Sequence, residues 1–435
     1  MIGDAVTLAR LLAHWRWSQA ELAALRQRKL RRLIDHAYRN VPYYRARMEE
    51  AGLRPQDLQT EIDLERLPVT RKEDLRQAGE ACLARGAGRL MTLHTSGHSG
   101  TPFQIRLTES EYRLRRLREF RMLLGMGLRP RDRLVLLGPL RSRPVRLHRL
   151  LGLYRLIVIP WTLSMGEQLA RLEAARPDVL WFYPTTLKSL MAFAPGILRR
   201  IKRPRFLISS SSVLDSPTRA DIERDLSGVP IREAYAANEC GRIAADCRFG
   251  QGLHLEDDAL IVELVDGGKP AEAGTPGSIV ITCLDQFAMP FIRYELGDLV
   301  RQKGGACPCG RQSPLIDRPL GRDWEVFRSR DGSLIDPDVV AGLLRNYPGL
   351  VQFRFVQRSY ELIEGQLVFE APPPAERLEE LRRLLEARVG HGVRFELRLP
   401  DRIDDERLKF RAFVCRLEEE QEQTRPPSVP HEPAL

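Results

Sequence analysis

Thr95-Ser96-Gly97-His98-Ser99-Gly100-Thr101-Pro102 brings two hydroxyl–glycine pairs into one short stretch. Glycine lets backbone N–H groups approach phosphate oxygens, and the hydroxyls add donors that adjust to a changing charge. The chemistry expected of such a loop is wrapping a polyphosphate, with Thr95, Ser96, Gly97, Ser99 and Gly100 in contact. No Gly-Lys-[Ser/Thr] follows, so it is not a Walker loop. An ordinary Ser/Gly/Thr/Pro turn is the competing reading. A second set of residues suits a metal: Cys247 and His254, followed by the tight turn Cys307-Pro308-Cys309-Gly310. Three thiolates and an imidazole fit tetrahedral Zn²⁺ in a structural role, because four protein ligands leave no open position for water. Cys240 is an alternative ligand, and four unrelated residues are the competing reading.

Bulk properties narrow the class of protein. At 435 residues the chain has room for about two or three domains with cores of their own. A hydrophobic content of 43% against 29% charged residues describes a globular chain. No apolar run approaches the roughly 18–20 residues of a membrane span. The stretch 6–12 is too short for a signal peptide and Arg10, His14 and Arg16 interrupt it, so the cytoplasm is the expected compartment. The net charge of +10 is spread over the whole length without an aromatic-interleaved basic stripe, which argues against nucleic acid. The densest run, Arg141 to Arg155, leaves open a site for an anionic cosubstrate such as coenzyme A, or an anionic membrane surface. Seven cysteines, odd in number and irregular in spacing, do not make a disulfide framework.

The elements that must carry these residues follow from periodicity. Residues 4–54 read as helices, with Leu8, Leu11, Leu12 and Trp15 on one stripe and Leu22, Leu25, Leu30, Leu33 and Ile34 on another. Packing of the basic first helix onto the domain beneath is favoured over peripheral membrane contact. Thr70 is the expected N-cap of a helix after Leu67-Pro68-Val69. From about 88 to 300, buried strands at 133–137, 156–160, 179–183 and 205–209 alternate with helices at 109–124, 165–175, 185–193 and 216–226. That rhythm predicts a largely parallel, helix-covered sheet, giving way at 258–301 to short alternating strands of a β-rich subdomain. Beyond Arg322, strands at 351–357, 360–363, 366–371 and 393–399 with a helix at 378–389 predict a compact α+β unit. The tail from 418 is polar and Pro-rich, expected to be disordered.

Five motifs in order resemble those of the adenylate-forming enzymes, which activate carboxylates with ATP. The loop at 95–102 resembles their phosphate loop. Tyr235-Ala236-Ala237-Asn238-Glu239, preceded by the serine run containing Ser211, resembles their Tyr-Gly-x-Thr-Glu segment. The resemblance implies that Tyr235 stacks on adenine, that Ser211 and Asn238 help hold the nucleotide, and that Glu239 holds Mg²⁺, a hard cation suited to carboxylate oxygen. Arg293-Tyr294-Glu295-Leu296-Gly297-Asp298-Leu299 resembles Arg-Tyr-x-x-Gly-Asp-Leu, which implies that Asp298 accepts the ribose hydroxyls. Leu320-Gly321-Arg322 resembles the Gly-Arg that opens the interdomain hinge, with Arg322 reaching ribose or phosphate. Arg407-Leu408-Lys409-Phe410-Arg411 resembles Gly-Lys-x-x-Arg, which implies that Lys409 bridges carboxylate and α-phosphate during adenylation.

Across residues 24–415 the chain is most similar to the phenylacetate–coenzyme A ligase branch, and within it to a subset associated with capsule biosynthesis. Leu33-Ile34-Asp35-His36-Ala37-Tyr38-Arg39-Asn40-Val41-Pro42-Tyr43-Tyr44, the Leu-Pro-Val-Thr-Arg-Lys phrase and the Cys/His set carry that closer likeness. The fold implied is a large N-terminal α/β domain with mostly parallel sheets and a β-rich subdomain, plus a small mobile α+β lid. The expected division is a helical segment at 1–87, the adenylate-forming core at 88–320, the lid at 321–417 and the tail at 418–435. The activity implied is that of an acid–thiol ligase: ATP-dependent acyl-adenylate formation, then transfer to coenzyme A. The expected ligands are ATP or AMP, Mg²⁺, coenzyme A, structural Zn²⁺ and a small carboxylic acid, with a monomer or homodimer as the assembly. An amide-forming or carrier-loading ligase is one alternative. A degenerate, non-catalytic nucleotide-binding protein is the other, motivated by departures from the motifs at Ala236, Trp324 and Leu408. Trp181, Phe182, Tyr183 and Pro184 suit either an acyl pocket or core.

Overall fold

Ser18 opens a helix, Gln19–Asn40, through a capping box in which its side chain accepts from the Glu21 N–H. Leu22, Leu25, Leu30, Leu33, Ile34 and Ala37 lie buried along it at helical spacing. Pro42, pre-set for a first helical position, starts the next helix at once, Pro42–Glu50. Together they close a core in which Leu30, Leu33 and Tyr44 meet Leu284 and Ile292 from far along the chain. The first helix, Ile2–Ala13, also packs inward: Arg121 donates to the Leu11 carbonyl at 2.9 Å, and His14 lies 2.6 Å from Asp258.

This computed structural model describes residues 2–94, 103–138, 152–266, 268–272, 274–322, 326–330, 334–335, 340, 343–344, 347–390, 392–403 and 412–417. They fall into two compact units, Met1–Leu320 and Gly321–Leu435. Among the described residues no helix is long and apolar enough to cross a membrane.

The first unit is built on one continuous sheet. Arg155–Pro160, Arg133–Gly138, Val179–Phe182, Phe206–Ser210 and Ile231–Ala237 lie side by side in that order, all parallel. The two central strands are buried at every position, as a parallel sheet covered on both faces requires. Helices Met165–Ala175, Pro184–Phe193 and Ser216–Asp225 cover one face, where Leu172, Leu187 and Ile222 pack onto Leu180 and Leu207. Glu109–Gly125 covers the other, setting Met122 and Leu123 against Leu134, Trp181 and Ile208. Past Ile231–Ala237 the sheet turns antiparallel and continues through Gly241–Asp246, Leu253–Leu255, Leu315–Ile316, Tyr294–Lys303, Pro276–Cys283 and Leu260–Asp266. Met91–His94 and Gln104–Leu107 pair separately as a hairpin.

Thr70 is not the helix cap that the sequence suggests. The helix Lys72–Ala78 is capped at Arg71, whose N–H donates to Asp74 at 2.8 Å. Thr70 instead pairs in parallel with Tyr294: its N–H donates to the Arg293 carbonyl at 2.7 Å, and its carbonyl accepts from Glu295 at 3.0 Å. A β-branched residue suits that extended, buried position.

In the second unit, Arg394–Arg398, Leu362–Phe369, Leu350–Ser359 and Phe413–Cys415 form a sheet in that order, packed by the helix Ala375–Val389. The strands expected at 360–363 and 366–371 are one strand. Gly365 inside it is a point of close approach rather than a break, since a Cβ there would meet Phe355 at 2.6 Å and Leu397 at 2.7 Å. The buried Gln357 amide donates to and accepts from the Arg328 backbone, at 2.6 and 2.8 Å.

Candidate active site

Two of the motif strands are bulged at the motif itself. In Ile231–Ala237, Tyr235 opposes Ala244 but Ala236 opposes Arg242, so Ile243 has no opposite number. In Tyr294–Lys303, Glu295 opposes Val280 and Leu299 opposes Ser278, which leaves Leu296, Gly297 and Asp298 facing one residue. Gly297 sits at φ +74°, a conformation that costs glycine little. Such bulges re-aim side chains, and the outcome here is a direct contact: Tyr235 Oη donates to Asp298 Oδ2 at 2.6 Å.

Glu239 is brought to the same neighbourhood by Tyr294, whose hydroxyl lies 3.4 Å from Glu239 Oε1, at the long limit of a hydrogen bond. The Tyr294 ring packs edge-on against Phe291, with centroids 4.9 Å apart. Phe291 in turn meets Phe103, the residue that follows the 95–102 loop, at 6.5 Å. One chain of rings thus joins the base of that loop to Glu239. Backbone around Glu239 is held from the helix Glu109–Gly125: Arg115 donates to the carbonyls of Asn238 and Glu239 at 2.7 and 2.6 Å and to Gln286 at 2.5 Å. Ser211 follows the end of a central parallel strand with φ +82°, a strained value for serine. Beside it, the Ser210 hydroxyl accepts from the Trp181 indole at 2.6 Å.

Arg293, part of the third motif, serves as a clamp. At φ +47° and nearly buried, it donates to the carbonyls of Glu65 and Leu67 and forms an ion pair with Glu263 at 2.7 Å. Tyr44 acts similarly, donating to the Pro290 carbonyl and accepting from the Ile292 N–H, both at 3.0 Å. The Leu-Pro-Val-Thr and Tyr-Tyr phrases therefore brace the approach to Tyr294 and Asp298.

The four metal-suited residues converge. The ligand atoms of Cys247, His254, Cys307 and Cys309 all lie within 4.8 Å of one another. Cys247 Sγ and Cys307 Sγ are 3.5 Å apart, and Cys309 Sγ and His254 Nε2 are 3.3 Å apart. Tetrahedral zinc calls for edges of about 3.5–3.8 Å, so the set fits with small adjustments. His254 Nδ1 is 3.1 Å from Ser313 Oγ, which fixes the ring with Nε2 turned to the thiols. Burial pushes the Cys247 thiol up, but hydrogen bonds from His254, the Phe249 N–H and Cys307 outweigh it and hold the thiol below its ordinary value. Cys240 is excluded from the set, because it packs near Cys283 in a different part of the core.

No protein-family profile matches the chain. A phenylacetate–coenzyme A ligase of Thermus thermophilus is 29% identical over 371 residues, covering 81% of this chain and 82% of the relative. One from Escherichia coli is 28% identical, covering 71% and 72%. The chain is a homologue of the phenylacetate–coenzyme A ligases. Its fold is that of the adenylate-forming coenzyme A ligases. A crystal structure of 2-hydroxyisobutyryl-CoA ligase in the postadenylation state with an acyl-AMP superposes with a TM-score of 0.74 at 22% identity, over 94% of this chain and 93% of that one. The same ligase in complex with an acyl-AMP and CoA gives 0.63 at 22% identity, over 95% and 94%.

In this phenylacetate–coenzyme A ligase homologue, Thr95, Ser96, Gly97, Ser99 and Gly100 lie outside the described residues, as do Trp324, Leu408 and Lys409. Arg322 is described by its backbone alone, in the short strand Gly321–Arg322. Arg115 went unnoticed in the sequence, since no local signal sets it apart from the other arginines of its helix. Tyr294 was legible only as a motif letter. Its part in holding Glu239 appears when the strand is folded.

Proposed function

We propose that this protein is an ATP-dependent acid–thiol ligase that forms an acyl-adenylate and transfers the acyl group to coenzyme A. The observation that carries the reading is the contact of Tyr235 with Asp298, residues 63 apart, with Glu239 held close by through Tyr294. The homology and the two captured states of the related ligase support it. In the first half-reaction a carboxylate oxygen of the acid attacks the α-phosphorus of ATP and pyrophosphate leaves. In the second, the thiolate of coenzyme A attacks the acyl carbonyl carbon and AMP leaves.

On this reading Tyr235 presents its ring to adenine, and the Asp298 carboxylate accepts from the ribose hydroxyls. Ser211 and Asn238 flank the nucleotide, and the residues of the 95–102 loop, with Arg322, bind its phosphates and ribose. Glu239 is the ligand for Mg²⁺, which supplies charge neutralisation at the phosphates. Lys409 offers a point charge to the oxygens of the α-phosphate as negative charge builds there. Cys247, His254, Cys307 and Cys309 bind structural Zn²⁺, tying together the turn after Gly241–Asp246 and the segment between Tyr294–Lys303 and Leu315–Ile316.

The test is acid-dependent exchange of pyrophosphate into ATP across a panel of aryl, aliphatic and hydroxy acids, with AMP affinity measured by calorimetry. Wild type is expected to exchange with at least one class. Asp298→Ala should weaken AMP binding by about tenfold or more, as expected for loss of hydrogen bonds to a charged acceptor. Failure of every acid to support exchange while ATP still binds would overturn catalysis and leave a nucleotide-binding protein.

A further inference from the structure

We infer that the acid this protein activates carries a second anionic group, and that Arg242 selects for it; this rests on the reading of the chain as a carboxylate-activating ligase. Arg242 stands three residues after Glu239, near the start of Gly241–Asp246, directly opposite the exposed Ala236. Cross-strand partners project from the same face of a sheet, so the Arg242 side chain leaves on the side that Ala236 presents. Its guanidinium carbon lies 5.9 Å from the centre of the Trp181 ring. Trp181, the last residue but one of Val179–Phe182, and the Ser210 that it hydrogen-bonds, the last of Phe206–Ser210, lie at the carboxyl ends of two adjacent parallel strands. Tyr183 comes one residue after the first of these and packs edge-on against Trp161 at 5.7 Å. Carboxyl ends of parallel strands are where open α/β sheets bind their ligands. Arg242 therefore stands over an aromatic wall at the place where an acyl chain is expected.

The decisive feature is that, among the described residues, no carboxylate neutralises the Arg242 charge. Its Nε is sealed from solvent with no hydrogen-bond partner, as are those of Arg118 and Arg121, but unlike theirs its guanidinium has no described carboxylate within ion-pair distance. Other interior arginines described in this unit are engaged by carboxylates or carbonyls, and Arg311, which also lacks a described carboxylate, lies over the Trp15 ring at 3.6 Å. Arg121 is bound by Glu256 and Asp258, Arg118 by Asp285, Arg293 by Glu263, and Arg115 by two carbonyls and Gln286. Glu119 and Glu256 attract Arg242 from a distance, but Glu119 is occupied by Arg116 at 3.2 Å and Glu256 by Arg121. Withdrawing a cation from water without a partner is costly, and an anion of complementary shape offsets that cost. The planar fork of arginine matches a carboxylate with two parallel hydrogen bonds. An acid with an apolar or aromatic stem and a distal carboxylate fits both the wall and the charge.

The experiment compares kcat/KM for pyrophosphate exchange on size-matched acids that differ only at the far end, such as 4-carboxyphenylacetate against its neutral carboxamide. Wild type should favour the diacid by about tenfold or more, the discrimination expected of a hydrogen-bonded charge pair. In Arg242→Met the diacid-to-monoacid ratio should fall to about one, and Arg242→Lys should keep part of it. A wild-type ratio at or below one overturns the inference, as does a ratio unmoved in Arg242→Met or an equal loss on both acids. AMP binding to each variant confirms that the site is folded. If no acid supports exchange, the ligase reading fails by itself. Calorimetric binding of the diacid to wild type and Arg242→Met then decides the role of Arg242: binding lost in the variant sustains it, and equal or absent binding ends it.

Discussion

Asp257 and Asp258 are neighbours in the chain with opposite electrostatic fates. Asp258 is bound by Arg121 and His14, and those contacts overcome its burial and hold its carboxyl well below the usual range. Among the described residues Asp257 has only Arg26 within ion-pair distance, at 3.4 Å, and burial beside Asp258 pushes its pKa up to about 7 from 3.8. A carboxyl harder to ionise in the folded than in the unfolded state stabilises the fold at low pH, and that contribution is lost as pH rises from about 4 through about 7. Asp257→Asn should therefore raise stability at pH 8 by up to ~4 kcal/mol, less whatever the Arg26 contact supplies, and give no such gain at pH 4. Denaturant unfolding at the two pH values reads the difference, and an equal gain at both would refute the assignment. Asp258 runs the other way, contributing stability above pH 4 that is lost on acidification. None of this was visible in the string Glu256-Asp257-Asp258, where the carboxylates are chemically alike and only their partners from residues 14, 26 and 121 tell them apart.

At the scale of elements, the cysteine cluster is the feature with the sharpest consequence. Cys247 follows one strand, His254 lies in the next, and Cys307 and Cys309 occupy the turn between Tyr294–Lys303 and Leu315–Ile316. The loops they close are long, so an ion binding all four ligands constrains segments that are otherwise joined only by short strand pairings. Purified protein is expected to contain one zinc per chain by elemental analysis. Cys309→Ser or exhaustive chelation should remove it and lower the melting temperature by several degrees or more. A full complement of stable, metal-free protein with unchanged melting would dismiss the ion. The ligand set was readable because cysteine and histidine are rare and chemically distinctive. Whether Cys240 joins the set was not, since it depends on how far the strand Gly241–Asp246, which Cys240 precedes and Cys247 follows, carries the two thiols apart. Thr70 makes the same point: its sequence neighbourhood suggests a cap, and a distant strand claims it for pairing.

At the scale of the whole molecule, the chain divides into two compact units, Met1–Leu320 and Gly321–Leu435, and the proposed site draws residues from the span of each. Lys409 belongs to the second unit and, on the proposed mechanism, acts in adenylation. Lys409→Ala should lower acyl-adenylate formation by about 10²–10³-fold, the usual loss when one electrostatic donor to a transition state is removed, while ATP still binds. Pyrophosphate exchange at the wild-type rate in that variant would remove Lys409 from the mechanism.

The order of motifs, the alternation of buried strands with amphipathic helices and the set of metal-suited side chains were fixed in the amino-acid sequence, because periodicity and side-chain chemistry are local properties. Tertiary structure decided what those residues meet. Two bulges turn Tyr235 and Asp298 toward each other, a buried arginine makes a brace of the Leu-Pro-Val-Thr phrase, and Arg242 is left without a counter-ion among the described residues while Arg118, Arg121 and Arg293 have theirs. Contacts of that kind join positions tens to hundreds of residues apart, and their energies depend on burial and direction, which no local pattern of side chains encodes.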